Sequence, residues 1–178
     1  VRPVMSAFTA TATEQVRDDI LCVLGLRSPK VLVTGFDRAN LYFEVRTGNK
    51  KAELLDYVKE HRMESGIVYC ATRKNVEEVC TMLQMEDISA TRYHAGLSAE
   101  ERKRNQDLFI FDEKPVMVAT NAFGMGIDKS NVRYVVHYNM PQSMENYYQE
   151  AGRAGRDGER AECILLYSPQ DVRINQFL

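Results

Sequence analysis

Short apolar runs alternate with longer amphipathic stretches through most of this chain, and that rhythm leaves few architectures open. GIVYC (Gly66–Cys70), VMVAT (Val116–Thr120), VRYVVHY (Val132–Tyr138) and ECILLY (Glu162–Tyr167) have the length of buried strands. LYFEVRT (Leu41–Thr47), which alternates, and SATRYH, which leads to Ala95 and Gly96, add two more. Between the strands lie stretches of about twelve residues, the usual length of a globular helix. Their apolar positions share one face, as Val76, Val79, Cys80 and Leu83 do. A continuous apolar strand has no wet face, so it needs cover on both sides. The pattern predicts an α/β fold of βαβ units: a mostly parallel central sheet with helices on both faces.

Capping residues mark where the helices begin. Thr72 precedes one, and Ser98 with Glu101 forms a capping box for a helix to about Phe111. Thr11 and Glu14 have the same spacing and predict a helix to about Leu24, ended by Gly25 and Pro29. A further helix is expected from Lys50 to about Arg62, with Leu54, Leu55 and Val58 inward. Ser143 is expected to start a helix that carries Arg153 and Arg156, and another begins at Gln170. The opening VRPVMSAFTATAT predicts a short strand running into a polar turn. KVLVTG predicts a short buried strand, and FDRAN (Phe36–Asn40) a polar joint.

Composition narrows the function classes. With 178 residues and 44% apolar content, one domain, or one domain plus a fragment, is expected. Net charge is -2, so any nucleic-acid contact must come from locally placed Arg, Lys and backbone donors. Cys22, Cys70, Cys80 and Cys163 form no C-x-x-C pair; they read as reduced core residues of a cytosolic protein rather than a zinc or disulfide framework. No signal peptide and no long apolar span is present. The chain starts at Val1 without a methionine, and a piece of something longer is expected.

In sheets of this kind ligands bind beyond the carboxyl ends of the strands. The loops there are Ala71-Thr72-Arg73, His94-Ala95-Gly96 and Asn121 to Lys129. Thr72 and Arg73 stand at a helix N-terminus, which attracts phosphate; an ordinary capped helix would look the same. In ATNAFGMGIDK, Gly124 and Gly126 permit close approach of a ligand, Thr120 and Asn121 offer polar groups, and Asp128 can accept from sugar hydroxyls. A plain strand-to-helix turn is the rival reading. His94 reads first as a packing or hydrogen-bonding residue, with Gly96 and Ser98 able to touch a nucleic-acid phosphate. In SAFTATAT, Ser6, Thr9 and Thr11 either bind phosphate, relay between sites, or only shape a turn. QEAGRAGRDG (Gln149–Gly158) places two guanidinium forks three residues apart among small residues, a pattern suited to polyphosphate.

Taken in order, SAFTATAT, FDRAN, IVYCATRKNVEEV, YHAGLS, VATNAFGMGIDKSNVRYVVHYNMP and SMENYYQEAGRAGRDG resemble the RecQ family of DNA helicases, from its third to its sixth helicase motif. The resemblance covers Ser6 to about Asp171. It implies a second RecA-like domain over residues 36–178, preceded in residues 1–35 by the tail of a first such domain and a linker. It further implies an ATP-dependent helicase of superfamily 2 that moves 3′ to 5′ on DNA. Arg156 becomes the arginine finger, with Arg153 its partner at the γ-phosphate and Gln149 in the same network. Gly126 and Asp128 line the ribose side. Thr72, Arg73, His94, Gly96, Thr120 and Asn121 face the DNA backbone, and Ser6 and Thr9 join them.

The implied cofactors are ATP and Mg2+, held mostly by the first domain. The implied partners are single-stranded DNA and duplex junctions and the first RecA-like domain, with no membrane. A monomer in a bacterial cytoplasm, or in a nucleus, is expected. The family often has proline where this chain has Ala39 and Ser130. The sequence holds no G-x-x-x-x-G-K-S/T loop and no acidic word to place Mg2+. The chain alone is therefore expected neither to hydrolyse ATP nor to unwind DNA. Two rivals stay open: an RNA helicase of the same superfamily, and a non-catalytic nucleic-acid-binding module of a degenerate helicase.

Overall fold

The computed structural model describes residues 3–9, 13–33, 38–124 and 127–171. It divides into two compact units, Val1–Arg38 and Ala39–Leu178. In the first, helix α1 spans Glu14–Leu24. Its N-cap is Thr13, whose hydroxyl accepts from the Val16 N–H at 3.3 Å. Thr11, the cap expected from spacing, lies outside the described residues. Gly25 closes the helix with its N–H on the Cys22 carbonyl. No residue of α1 is buried, and Cys22 is exposed, against the expectation of a core thiol.

Two expected strands are absent among the described residues: 3–9 and 30–33 carry none. Val31, Leu32 and Val33 are exposed. An apolar run becomes a strand only when a neighbour takes its backbone N–H and C=O groups, and these residues have no strand partner here. Thr34 and Gly35, the rest of KVLVTG, lie outside the described residues.

The second unit holds the sheet. Its elements are β1 (Leu41–Thr47), α2 (Lys50–Glu60), β2 (Ser65–Tyr69), α3 (Arg73–Met85), β3 (Ala90–Tyr93), α4 (Ala99–Ile110), β4 (Val116–Ala119), β5 (Val132–His137), α5 (Met144–Ala151) and β6 (Ala161–Tyr167). The strand order is β1-β6-β5-β2-β4-β3, and every pairing is parallel. The α/β layering expected from the alternation is what forms, as does the RecA-like arrangement that the resemblance implies.

Side chains alternate cleanly between two cores. Val68, Val116, Val118, Val136, Ile164 and Leu166 face Leu54, Val58, Val76 and Leu83 of α2 and α3. Ile67, Tyr69, Met117, Val135 and Cys163 face Phe109 of α4 and Ala151 of α5. Strands β2, β4, β5 and β6 thus feed both layers, which is why their runs are largely apolar. Burial pushes the Cys80 thiol up to about 11 and holds it protonated.

Helix α5 ends at Ala151, before either arginine. After Gly152 the bonds shorten to the three-residue kind, Arg153 N–H to Glu150 O and Ala154 N–H to Ala151 O. The Gly155 N–H then donates to Val132 O at 2.9 Å. The expected helical placement of Arg153 and Arg156 is thus replaced by a turn, because the backbone is drawn off the helix axis onto β5.

A buried polar network locks the carboxyl ends of three strands together. Asn139 accepts from the Ala71 N–H at 3.1 Å and the Asn75 amide at 3.0 Å, and donates to Asp171 at 3.1 Å. Lys50 Nζ donates to Asp171 at 2.5 Å and to Tyr138 O at 2.8 Å. Asp171→Ala would leave the Lys50 ammonium buried without its counter-charge. We expect it to destabilise this unit by roughly 3–5 kcal/mol in urea unfolding; an unchanged midpoint would show the network to be dispensable.

Candidate functional site

The parallel pairing delivers every strand's carboxyl end to one edge, where Thr72, Arg73, His94, Gly96, Thr120 and Asn121 lie; the turn with Arg153 and Arg156 instead returns to the amino end of β5, its Gly155 N–H on Val132 O. At the end of β4, Thr120 donates its N–H to Tyr93 O at 3.1 Å, and its hydroxyl accepts from Ala122 N–H at 3.4 Å. Asn121 is exposed beside it and lines a crevice with Ala71, His137, Asn139 and Pro141.

Thr72, Arg73, His94 and Gly96 come together. The Thr72 hydroxyl caps α3 by accepting from Asn75 N–H at 3.1 Å. His94 is buried with both ring nitrogens engaged: Nδ1 accepts from Gly96 N–H at 3.1 Å, so Nε2 carries the proton toward Glu77 at 2.7 Å. Arg73 stretches over Gly96, its Cδ and Nη1 lying 3.2 Å from where a Cβ would stand. Arg73 and Asn121 are exposed at this edge, while Thr72 and His94 shape it.

Arg153 and Arg156 both reach across to the loop after β4. Arg153 Nη1 donates to Gly124 O at 2.5 Å, and Arg156 Nη1 donates to Ile127 O at 2.8 Å. The guanidinium of Arg153 lies so close over Gly124 that any Cβ there would collide with it. Arg153 Nε is buried with no hydrogen-bond partner. Arg156 stays 3.7 Å from Asp128, whose carboxylate is almost wholly exposed. Gly126 lies outside the described residues. Gln149 is exposed on α5 and donates to Glu145 at 3.3 Å. Ser6 and Thr9 are exposed in the other unit.

Several residues hold this arrangement, and of them Asn40, Arg133 and Lys129 were given no such part from the sequence. Asn40 donates through one amide nitrogen to Gly155 O and Glu159 O, both at 2.8 Å. Gly155 has φ +57 and no room for a Cβ beside that amide, so the turn requires glycine. Arg133 grips both Asp157 oxygens at 2.6 Å, and that hydrogen bonding holds the Asp157 carboxyl below its usual range. Lys129 is buried and donates to Asp112 at 2.7 Å and Ile110 O at 3.3 Å, anchoring the far end of the glycine loop. Only the polar letters next to strand ends hinted at these roles; their partners are distant in sequence.

The donors at this edge are cationic or backbone N–H groups, a set suited to phosphate oxygens. Among the described residues no group of three His, Cys, Asp or Glu side chains could hold a metal. No helix there is long and apolar enough to cross a membrane.

Two tests address this geometry. Asn40→Ala removes the donor from two carbonyls and is expected to cost about 1–3 kcal/mol in denaturant unfolding; no loss would mean the turn is held without it. Burial alone would raise the Asp112 carboxyl, but hydrogen bonds from Lys129 and Ser65 outweigh it and hold it below its usual value. A lowered carboxyl stabilises the fold fully above its ordinary pKa, and that contribution fades as pH falls through the lowered value. Asp112→Asn should therefore flatten the loss of stability between about pH 5 and pH 2. Equal acid sensitivity in the two proteins would rule this out.

Comparison with known proteins bears on the family and the fold. Residues 49–158 match the family described as helicase conserved C-terminal domain. The chain is 52% identical to an ATP-dependent DNA helicase RecQ of Bacillus subtilis, over 99% of this chain and 30% of that protein. It is 48% identical to the ATP-dependent DNA helicase RecQ of Pasteurella multocida, over 95% of this chain and 27% of that one. The chain thus spans less than a third of these relatives' length. A variant of S. cerevisiae Dbp5 bound to RNA and ADP BeF3 superposes with TM-score 0.79 at 23% identity, covering 96% of this chain and 47% of that one. That likeness speaks for the RecA-like fold alone. The chain belongs to the helicase conserved C-terminal domain family and is of the RecQ type.

Proposed function

We propose that this chain is the second motor domain of an ATP-dependent 3′–5′ DNA helicase. Residues 36–178 form that domain, and residues 1–35 are the tail of the first with its linker. The exposed Val4, Phe8, Val23 and Leu32 are what a segment taken from another domain's packing would present.

The observation that carries the proposal is the pair of arginines seated on one glycine loop. Arg153 and Arg156 rest on the carbonyls of Gly124 and Ile127, and Arg153 keeps a buried Nε without a partner. A carbonyl is a weak acceptor compared with a phosphate oxygen, so a γ-phosphate arriving at this loop would draw both forks away. ATP with Mg2+ supplies the transferable phosphoryl group. The chain's own part is to place positive charge where negative charge develops, with Arg156 as the finger and Arg153 beside it. Gln149 joins the network, and Gly126 and Asp128 lie on the ribose side. Mg2+ would be held by the first RecA-like domain.

Single-stranded DNA would run along the carboxyl edge of the sheet, past Arg73, Gly96 and Asn121, with Thr72, His94 and Thr120 holding the loops; Ser6 and Thr9, in the other unit, are further DNA contacts in this reading. Backbone contacts of this kind carry no sequence information, which suits a translocating motor. Because the same loop meets both the arginines and the strand-end residues, nucleotide release and DNA grip are coupled through it.

Arg156→Ala in the full-length protein should lower the kcat of DNA-stimulated ATP hydrolysis about 10³–10⁵-fold while DNA affinity changes little. The chain alone should hydrolyse no ATP. Near-parental turnover by the variant, or robust hydrolysis by the isolated chain, would overturn the proposal.

A further inference from the structure

His137 closes strand β5 and is 1% exposed. Its Nε2 lies 2.9 Å from Glu150 Oε2. A carboxylate only accepts, so Nε2 carries the proton and donates it. The Glu150 side chain is itself nearly buried. Tyr69 stacks on the His137 ring, centroids 5.6 Å apart and planes 23° off parallel, and Tyr147 packs on it at 4.9 Å.

This cluster sits against Arg153. The Glu150 backbone carbonyl accepts from the Arg153 N–H at 3.2 Å. Tyr69 donates its hydroxyl to Phe123 O at 3.2 Å, one residue before the carbonyl that receives Arg153. Burial pushes the Tyr69 hydroxyl pKa up, and the Arg153 charge beside it pulls back.

Glu150 and Arg153 stand three residues apart, a spacing at which a carboxylate and a guanidinium readily pair. They do not pair: the Glu150 carboxylate accepts from His137, and the fork of Arg153 is with Gly124 O. A direct Glu150–Arg153 pair would neutralise the donors the proposed phosphate contact needs. Holding a buried His–Glu pair is also not the cheapest way to fill this space, since apolar side chains of similar volume are often neutral or stabilising. The pair therefore points to a role other than stability.

We infer that His137 is a positioning residue: it sequesters the Glu150 carboxylate and so keeps Arg153 available for phosphate. This rests on the arginine reading above. His137 touches no reacting atom; it acts through Glu150, with Tyr69 bracing its ring.

The test uses the full-length protein and DNA-stimulated ATP hydrolysis. His137→Phe keeps the ring stack but frees Glu150. Its kcat should fall about 10- to 100-fold, the cost of a misplaced group, with the KM for ATP little changed. Adding Glu150→Gln removes the competing charge and should restore most of the lost rate. A purely structural role for His137 predicts no such recovery. His137→Gln, which keeps a donor, should turn over near the parental rate, and it serves if the Phe variant melts early.

An unchanged kcat in His137→Phe, or no recovery in the double variant, would overturn the inference and leave the arginine reading standing. If Arg153→Lys in the same assay keeps the parental kcat, the arginine reading itself fails and this inference with it.

Discussion

Everything at the candidate site depends on the six strands running parallel. In a parallel sheet each strand must return over a face before the next begins, so all carboxyl ends collect at one edge. The loops after β2, β3 and β4, with Thr72, Arg73, His94, Gly96, Thr120 and Asn121, therefore meet there although they are scattered through the sequence, and the loop after β4 runs from that edge back to the start of β5, where the Arg153–Arg156 turn meets it. An antiparallel pairing of the same segments would send alternate loops to opposite edges. The central position of β2, between β5 and β4, brings Tyr69 beside both His137 and the loop at Phe123.

Charge at that edge is managed by pairing rather than by a basic surface. Net charge is -2, and most of the cations described here are committed: Lys50 to Asp171, Lys129 to Asp112, Arg133 to Asp157. Each pair fastens a loop or a turn. Arg153 and Arg156 differ, because their hydrogen bonds go chiefly to neutral carbonyls. Arg153, whose guanidinium rests on a carbonyl, keeps its charge uncompensated, and an uncompensated charge in a protected place is what an anion responds to. Of the acidic neighbours, Glu150 is held by His137, and Asp128, largely in solvent, stands 3.7 Å from Arg156.

Legibility followed the range of the interactions. Caps were readable because a hydroxyl reaches an N–H three residues on, as Thr72 and Ser98 do. Strands β2 and β4 to β6 were readable because a run buried on both faces is largely apolar, and β1 because its letters alternate. The runs before Phe36 misled for the same reason: apolar letters promise a strand, but only a neighbouring strand completes one. The end of α5 also misled, since the three-residue spacing of Arg153 and Arg156 suits a helix. It takes the bond from Gly155 to Val132 to show that the backbone has already left it. Asn40 was passed over as part of a polar joint, because its partners lie more than a hundred residues away.

The sequence by itself determined the α/β class, the order of elements, the helix starts after Thr72, Ser98 and Ser143, and the set of residues from which a phosphate site could be made. Those properties rest on local propensity and on periodicity, which short stretches of sequence carry completely. Tertiary structure alone decided how the set is used. Arg153 and Arg156 sit on the glycine loop, His94 is spent on a turn, and His137 holds Glu150 aside. Those roles depend on which groups meet across the sheet edge. A buried charge or donor is defined by its nearest partner in space, and no spacing rule along the chain names that partner.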